Sequence, residues 1–121
     1  MYKVSVISTF SAAHFLKNYK GKCENLHGHN WKVEVSVSSH TLNSSFLVMD
    51  FSELKNKLQE VLDTLDHTLL NDLDCFNSLS PTSEVIARYI FSQLKERIPP
   101  VHTLEEVKVW EKDTSCATYQ E

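Results

Sequence analysis

The 121-residue sequence predicts an α+β fold, with an antiparallel sheet covered on one face by two helices. Two stretches of alternating apolar residues open the chain, two stretches with apolar residues at helical spacing follow, and two short alternating stretches close it. The order strand, strand, helix, helix, strand, strand keeps strands and helices in separate runs, which argues against a parallel α/β arrangement.

Residues 2–10 place Tyr2, Val4, Val6 and Phe10 on one side by period-two alternation, as in a half-buried strand, and His14 falls just past its end. Residues 17–30 hold both glycines, Gly21 and Gly28, among lysines and asparagines, so a loop or bent hairpin connection is expected there. Trp31, Val33, Val35 and Val37 then alternate with polar residues in a second strand, and His27 and His29 share the parity of its apolar face. Asp50 with Glu53 forms a capping-box-like start to a helix that presents Phe51, Leu54, Leu58, Val61, Leu62 and Leu65. A second helix begins near Ser80-Pro81-Thr82, presents Val85, Ile86, Tyr89, Ile90, Leu94 and Ile98, and is expected to stop at Pro99-Pro100. Val107, Val109 and Glu111 share one face of a third strand, and residues 115–120 return antiparallel after Lys112-Asp113-Thr114.

Length and a hydrophobic content of 41% fit a single domain over residues 1–121, without repeats, linkers or low-complexity segments. A net charge of −4 without a long run of either sign lacks the basic footprint of a nucleic-acid binder. The amino terminus alternates like a strand instead of forming an apolar signal segment, and no run approaches the ~18 apolar residues of a membrane span, so a cytoplasmic location is expected. Cys23, Cys75 and Cys116 are scattered without Cys-x-x-Cys spacing and read as reduced thiols, Cys75 and Cys116 as small buried hydrophobes.

His27-Gly28-His29 sets two imidazoles at i and i+2, which an extended chain points to the same side, while the glycine permits close backbone approach. A lone His-x-His is compatible with ordinary hydrogen-bonded histidines, but three of the six histidines fall between positions 14 and 29 beside a cysteine. His14, His27 and His29 therefore form a candidate metal site, and three nitrogens with one open position describe catalytic zinc better than a closed structural site. Cys23, four residues before His27, is placed to act as a thiolate base beside the metal; as a fourth ligand it would instead close the shell. Asp66-His67 offers an acid able to orient an imidazole. Glu111 continues an apolar strand face, where a carboxylate requires a partner or a ligand, unless the strand end reaches solvent. His40 and His102 lie in connections and are expected to be exposed, and Lys17, Lys20 and Lys22 form either an anion-attracting or a simply solvated face.

Phe10-Ser11-Ala12-Ala13-His14, Cys23-Glu24-Asn25-Leu26-His27-Gly28-His29-Asn30-Trp31, Leu65-Asp66-His67, Pro81-Thr82-Ser83-Glu84, and Trp110-Glu111 with Thr114-Ser115 together resemble the 6-pyruvoyl-tetrahydropterin synthase family. The short Cys-x-x-x-His-Gly-His spacing is most similar to the branch making 6-carboxy-5,6,7,8-tetrahydropterin in queuosine biosynthesis. The resemblance implies a T-fold, a four-stranded antiparallel sheet with two helices that oligomerises into a barrel as a trimer or hexamer. It implies a lyase acting on 7,8-dihydroneopterin triphosphate, with one zinc per subunit on His14, His27 and His29, Cys23 as general base, and Asp66 and His67 relaying protons. Glu111 would grip the donor edge of the pterin, Thr82, Glu84 and Thr114 match family positions less specifically, and Cys23 and Asp66-His67 would come from different chains at sites between subunits. One departure is Cys116, which stands where many members of that branch carry a bulky aromatic. The rival readings are the pyruvoyl product on the same fold and a non-catalytic pterin- or purine-binding zinc protein.

Overall fold

The computed structural model describes residues 1–17, 20 and 25–121. Its elements are β1 (Tyr2–His14), β2 (His27–Ser39), α1 (Phe51–Leu62), β3 (Thr68–Leu69), α2 (Ser83–Lys95), β4 (Thr103–Lys112) and β5 (Ser115–Tyr119), with two short 3₁₀ turns at Leu70–Asp72 and Asp74–Phe76. The sheet runs β3-β1-β2-β4-β5, antiparallel except for the β3–β1 pair. The α+β class and the two long helices follow the sequence pattern; the two-residue β3 is an addition to the four expected strands.

Period-two alternation puts Val6, Phe10, Ala12 and His14 of β1 on the buried face beside Trp31, Val33, Val35 and Val37 of β2 and Val107 and Val109 of β4. Against them pack Leu54, Leu58, Val61 and Leu62 of α1 and Ile86, Ala87, Ile90, Phe91 and Leu94 of α2. β1 continues beyond the alternation that marks residues 2–10, so His14 is its last residue instead of lying past it, and it sits directly opposite His27, the first residue of β2. The histidines thereby gain the fixed geometry of a strand pair.

The helix ends differ from expectation in detail. Asp50 caps α1 by accepting from Ser52 N–H at 2.8 Å and Ser52 Oγ at 2.6 Å, while Glu53 faces Lys57 at 4.0 Å. Phe51, next to this cap, is exposed. Thr82 Oγ1 accepts from Val85 N–H at 3.2 Å to cap α2. That helix ends at Lys95, ahead of Pro99-Pro100, in a turn where Arg97 and Ile98 N–H both donate to the Leu94 carbonyl. Cys75 and Cys116 are exposed, not buried. No helix among the described residues is long and apolar enough to cross a membrane.

Candidate metal centre

The β1–β2 pairing places His14 opposite His27 and Ala12 opposite His29, so three imidazoles with inward parity meet at one end of the sheet. Trp31 lies beneath them, fully buried, its ring 4.9 Å from that of His14 and 5.1 Å from that of His29. Its indole N–H donates to the Ala12 carbonyl at 3.2 Å, and Phe10 stacks on it. Glu111 reaches the same point from β4, where an irregularity between Trp110 and Lys112 re-aims the strand end. Among the described residues a Cβ at position 28 would touch only the Ala12 carbonyl, at 3.9 Å.

Hydrogen bonds fix the chemistry of the nitrogens. His14 Nδ1 lies 2.8 Å from the Pro81 carbonyl, and His27 Nδ1 lies 2.7 Å from the Asn25 carbonyl. A carbonyl only accepts, so each Nδ1 carries a proton, and in the neutral ring Nε2 presents the lone pair. Those two Nε2 atoms face each other at 3.1 Å. Glu111 Oε1 stands 3.6, 3.8 and 2.7 Å from Nε2 of His14, His27 and His29. The His29 contact lies outside hydrogen-bonding geometry, which leaves its buried Nε2 without a hydrogen bond among the described residues. Burial holds the His29 pKa below its ordinary value, with Glu111 opposing and His27 and His14 reinforcing, so a neutral ring is favoured.

Convergent lone pairs without protons to share are mutually repulsive unless a cation lies among them. Four donors around zinc at ordinary bond lengths would be about 3.3 Å apart, within the range observed. His14, His27, His29 and Glu111 could thus hold a metal ion, and all four candidate ligand atoms lie within 4.8 Å of one another. Sequence reasoning brings the three histidines together but assigns Glu111 to substrate; the structure also seats it among them.

Asp66 and His67 lie apart from this cluster, at the sheet edge beside β1. Asp66 Oδ2 is 2.8 Å from His67 Nδ1, and Oδ1 accepts from Ser11 N–H at 2.8 Å. The Ser11 N–H, and then His67, hold the Asp66 carboxyl below the usual carboxylate range. His67 takes a positive φ of 57° and donates its N–H to the Ser11 carbonyl at 2.6 Å, a left-handed backbone outside glycine that is retained where the surroundings enforce it. Its side chain is 82% exposed, and it borders a cavity of about 350 Å³ shared with Ser11, Gly28, His29 and Asn30.

The lowered Asp66 pKa means that stability from this carboxylate is present above its unfolded value of 3.8 and is lost as pH falls through the lower native value. Asp66→Asn is therefore expected to flatten the acid limb of thermal stability below about pH 4, while the limb near neutrality is unchanged. Thermal melts from pH 6 to pH 2.5 check this, and parallel acid limbs for both proteins would contradict it.

Glu111 also borders a second cavity of about 420 Å³, lined by Ser83, Glu84, Ser115, Cys116, Ala117 and Thr118. Its size is that of a small-molecule site, and the departing Cys116 is part of its wall. Cys23 lies outside the described residues, as does Lys22 of the basic loop. His40 is exposed, whereas His102 is half-buried with its Nδ1 enclosed and unpartnered among the described residues. The Trp31 floor and the carbonyls of Pro81 and Asn25 were missed from the sequence; a carbonyl belongs to every residue type and leaves no signature.

A profile of the family described as 6-pyruvoyl tetrahydropterin synthase matches residues 3–121. The chain is 43% identical over 117 residues to 6-carboxy-5,6,7,8-tetrahydropterin synthase of Synechocystis sp., covering 92% of this chain and 87% of that protein. It is 35% identical over 145 residues to the Haemophilus influenzae protein of the same name, with 100% of each chain covered. Its fold matches the structure of Caenorhabditis elegans 6-pyruvoyl tetrahydropterin synthase with a TM-score of 0.86 at 33% identity, covering 99% of this chain and 95% of that one. Matched along nearly its whole length in both sequence and fold, the chain belongs to the 6-pyruvoyl tetrahydropterin synthase family.

Proposed function

We propose that this tetrahydropterin synthase family enzyme is a zinc-dependent lyase that converts 7,8-dihydroneopterin triphosphate, with uptake of water, to 6-carboxy-5,6,7,8-tetrahydropterin, acetaldehyde and triphosphate. The observation that carries the reading is the convergence of three histidine Nε2 atoms, two of them on rings whose Nδ1–H groups donate to backbone carbonyls. Imidazole donors suit zinc. Bound there, zinc supplies Lewis acidity that eases deprotonation of the substrate side-chain hydroxyls. The carboxy product is favoured by the names of the Synechocystis and Haemophilus relatives and by the short Cys23-to-His27 spacing.

In this reading Cys23 removes a proton from the substrate carbon beside the metal site. Asp66, kept ionised by Ser11, accepts a hydrogen bond from His67 Nδ1–H and leaves the opposite ring nitrogen to exchange protons with substrate. Glu111 binds the donor edge of the pterin, held in the cavity it shares with Glu84 and Cys116. The exposure of His67 suits a site shared between subunits, and the edges at β3 and β5 suit closure of a barrel by trimers or hexamers. A cytoplasmic place in queuosine biosynthesis belongs to the same reading.

Glu111→Ala is expected to weaken pterin binding about 10- to 100-fold, the scale of a lost charge-assisted hydrogen-bond pair. Titration of metal-loaded protein with a dihydropterin measures it, alongside zinc content. Unaltered pterin affinity would remove Glu111 from the substrate site.

The reading itself is tested by incubating zinc-loaded protein with 7,8-dihydroneopterin triphosphate and identifying products by mass spectrometry. The carboxy product with acetaldehyde supports it. The pyruvoyl product, which the fold match to the C. elegans synthase favours as a second reading, would replace it. No conversion by protein carrying zinc would point to a binding role.

A further inference from the structure

Residues 66–71 run beside the end of β1 and are fastened to it by side chains at both ends. Ser11 N–H donates to Asp66 Oδ1 at 2.8 Å and the Ser11 carbonyl accepts from His67 N–H at 2.6 Å. In the middle Thr68 and Leu69 form β3 opposite Ala12 and Ala13. At the far end Phe15 N–H donates to Asn71 Oδ1 at 3.0 Å, and Asn71 Nδ2 donates to the Phe15 carbonyl at 3.0 Å. Asn71 is buried, 8% exposed. Its primary amide therefore reproduces both hydrogen bonds of a strand pair at the residue immediately after His14.

His14 is the last residue of β1 paired with β2, so beyond it the ladder supplies no partner for Phe15. The chain there is further tied by Lys17 N–H donating to Ser80 Oγ at 2.6 Å, next to the Pro81 carbonyl that receives the His14 Nδ1 proton. We propose that Asn71 is a positioning residue: it fixes the backbone that aims His14 Nε2 and locks the register of the segment bearing Asp66 and His67 against the metal-ligand strand. A slip of one residue in β1 would turn the His14 side chain to the opposite face of the sheet. Among side chains of this size only a primary amide both accepts from the N–H and donates to the carbonyl. Aspartate keeps the first bond alone, and leucine keeps neither. The inference rests on the metal reading of the histidine cluster.

The test uses metal-stripped full-length protein titrated with Co²⁺ alone, read by its visible ligand-field absorption, with thermal midpoints measured in parallel. Asn71→Leu is expected to weaken Co²⁺ binding by about 10- to 100-fold, the scale for loss of a group that orients a ligand, and to alter the band shape. Asn71→Asp is expected to fall between it and the wild type, and it carries the test where Asn71→Leu does not fold. Ile90→Ala, a core cavity in α2 away from the site, should lower the thermal midpoint while leaving Co²⁺ affinity and spectrum unchanged. Asn71 variants that bind Co²⁺ as the wild type does, with the same spectrum, would overturn the proposal and leave Asn71 a purely structural residue. Failure of the wild-type chain itself to bind Co²⁺ is a separate result, which overturns the metal reading beneath it.

Discussion

Cys23→Ala is expected to reduce turnover of 7,8-dihydroneopterin triphosphate by about 10²- to 10⁴-fold, the usual contribution of a positioned general base, with zinc still bound at about one per chain. The expectation rests on its place in the sequence four residues before His27, one of the clustered histidines. A thiol beside a divalent cation ionises more readily than a free one, and thiolate is the form that accepts a proton from carbon. Neither of the other cysteines is placed to replace it. Cys116 lies on the wall of the neighbouring cavity, and Cys75 lines a different one with Phe76, Arg88 and Tyr89, where partial desolvation pushes its thiol up. Cys75→Ala is accordingly expected to turn over like the wild type. Kinetics and metal analysis on the same preparations separate the possibilities. Loss of zinc together with activity in Cys23→Ala would make Cys23 a ligand and favour a closed structural site, whereas full turnover would remove it from the reaction.

What was legible in the sequence was what repeats along it. Alternation at Val33, Val35 and Val37 and helical spacing at Leu54, Leu58 and Leu62 report burial of one face, and all six side chains are fully buried. His27 and His29 could be placed together because period two holds through Gly28. His14 was harder to place, because Ser11-Ala12-Ala13 lacks the contrast that marks a strand, and only pairing with β2 carries β1 to its last residue. Phe51 matches the apolar spacing yet is exposed at the first position of α1, beside the Asp50 cap. Period two puts Glu111 on the face of Val107 and Val109, but its meeting with the three histidines depends on strand pairing, which counting along one strand cannot register. Asn71 was hidden for a different reason: its partners are backbone atoms 56 positions away, and side chain-to-backbone bonds leave no trace in residue types.

Removal of the metal is expected to have the other large effect, and on stability as well as turnover. A ligand that binds only the folded chain stabilises it by about 4 kcal/mol at a thousand times its dissociation constant. For a domain of this length that corresponds to a rise in thermal midpoint on the order of 10–20 °C when zinc is added to chelator-treated protein. His14→Ala should abolish both the rise and the turnover, since His14 is the most buried of the three imidazoles, with its ring already tied to Pro81. The variant is also expected to be less stable without metal by about 1–3 kcal/mol, because the Pro81 carbonyl loses its buried donor. The comparison that decides is therefore the zinc-dependent shift within each protein, not the midpoint between proteins. A shift present in the wild type and absent in His14→Ala ties the metal to this cluster. A shift of equal size in both would place zinc elsewhere, and turnover by thoroughly chelated wild-type protein would mean that the convergent histidines serve the reaction without a metal.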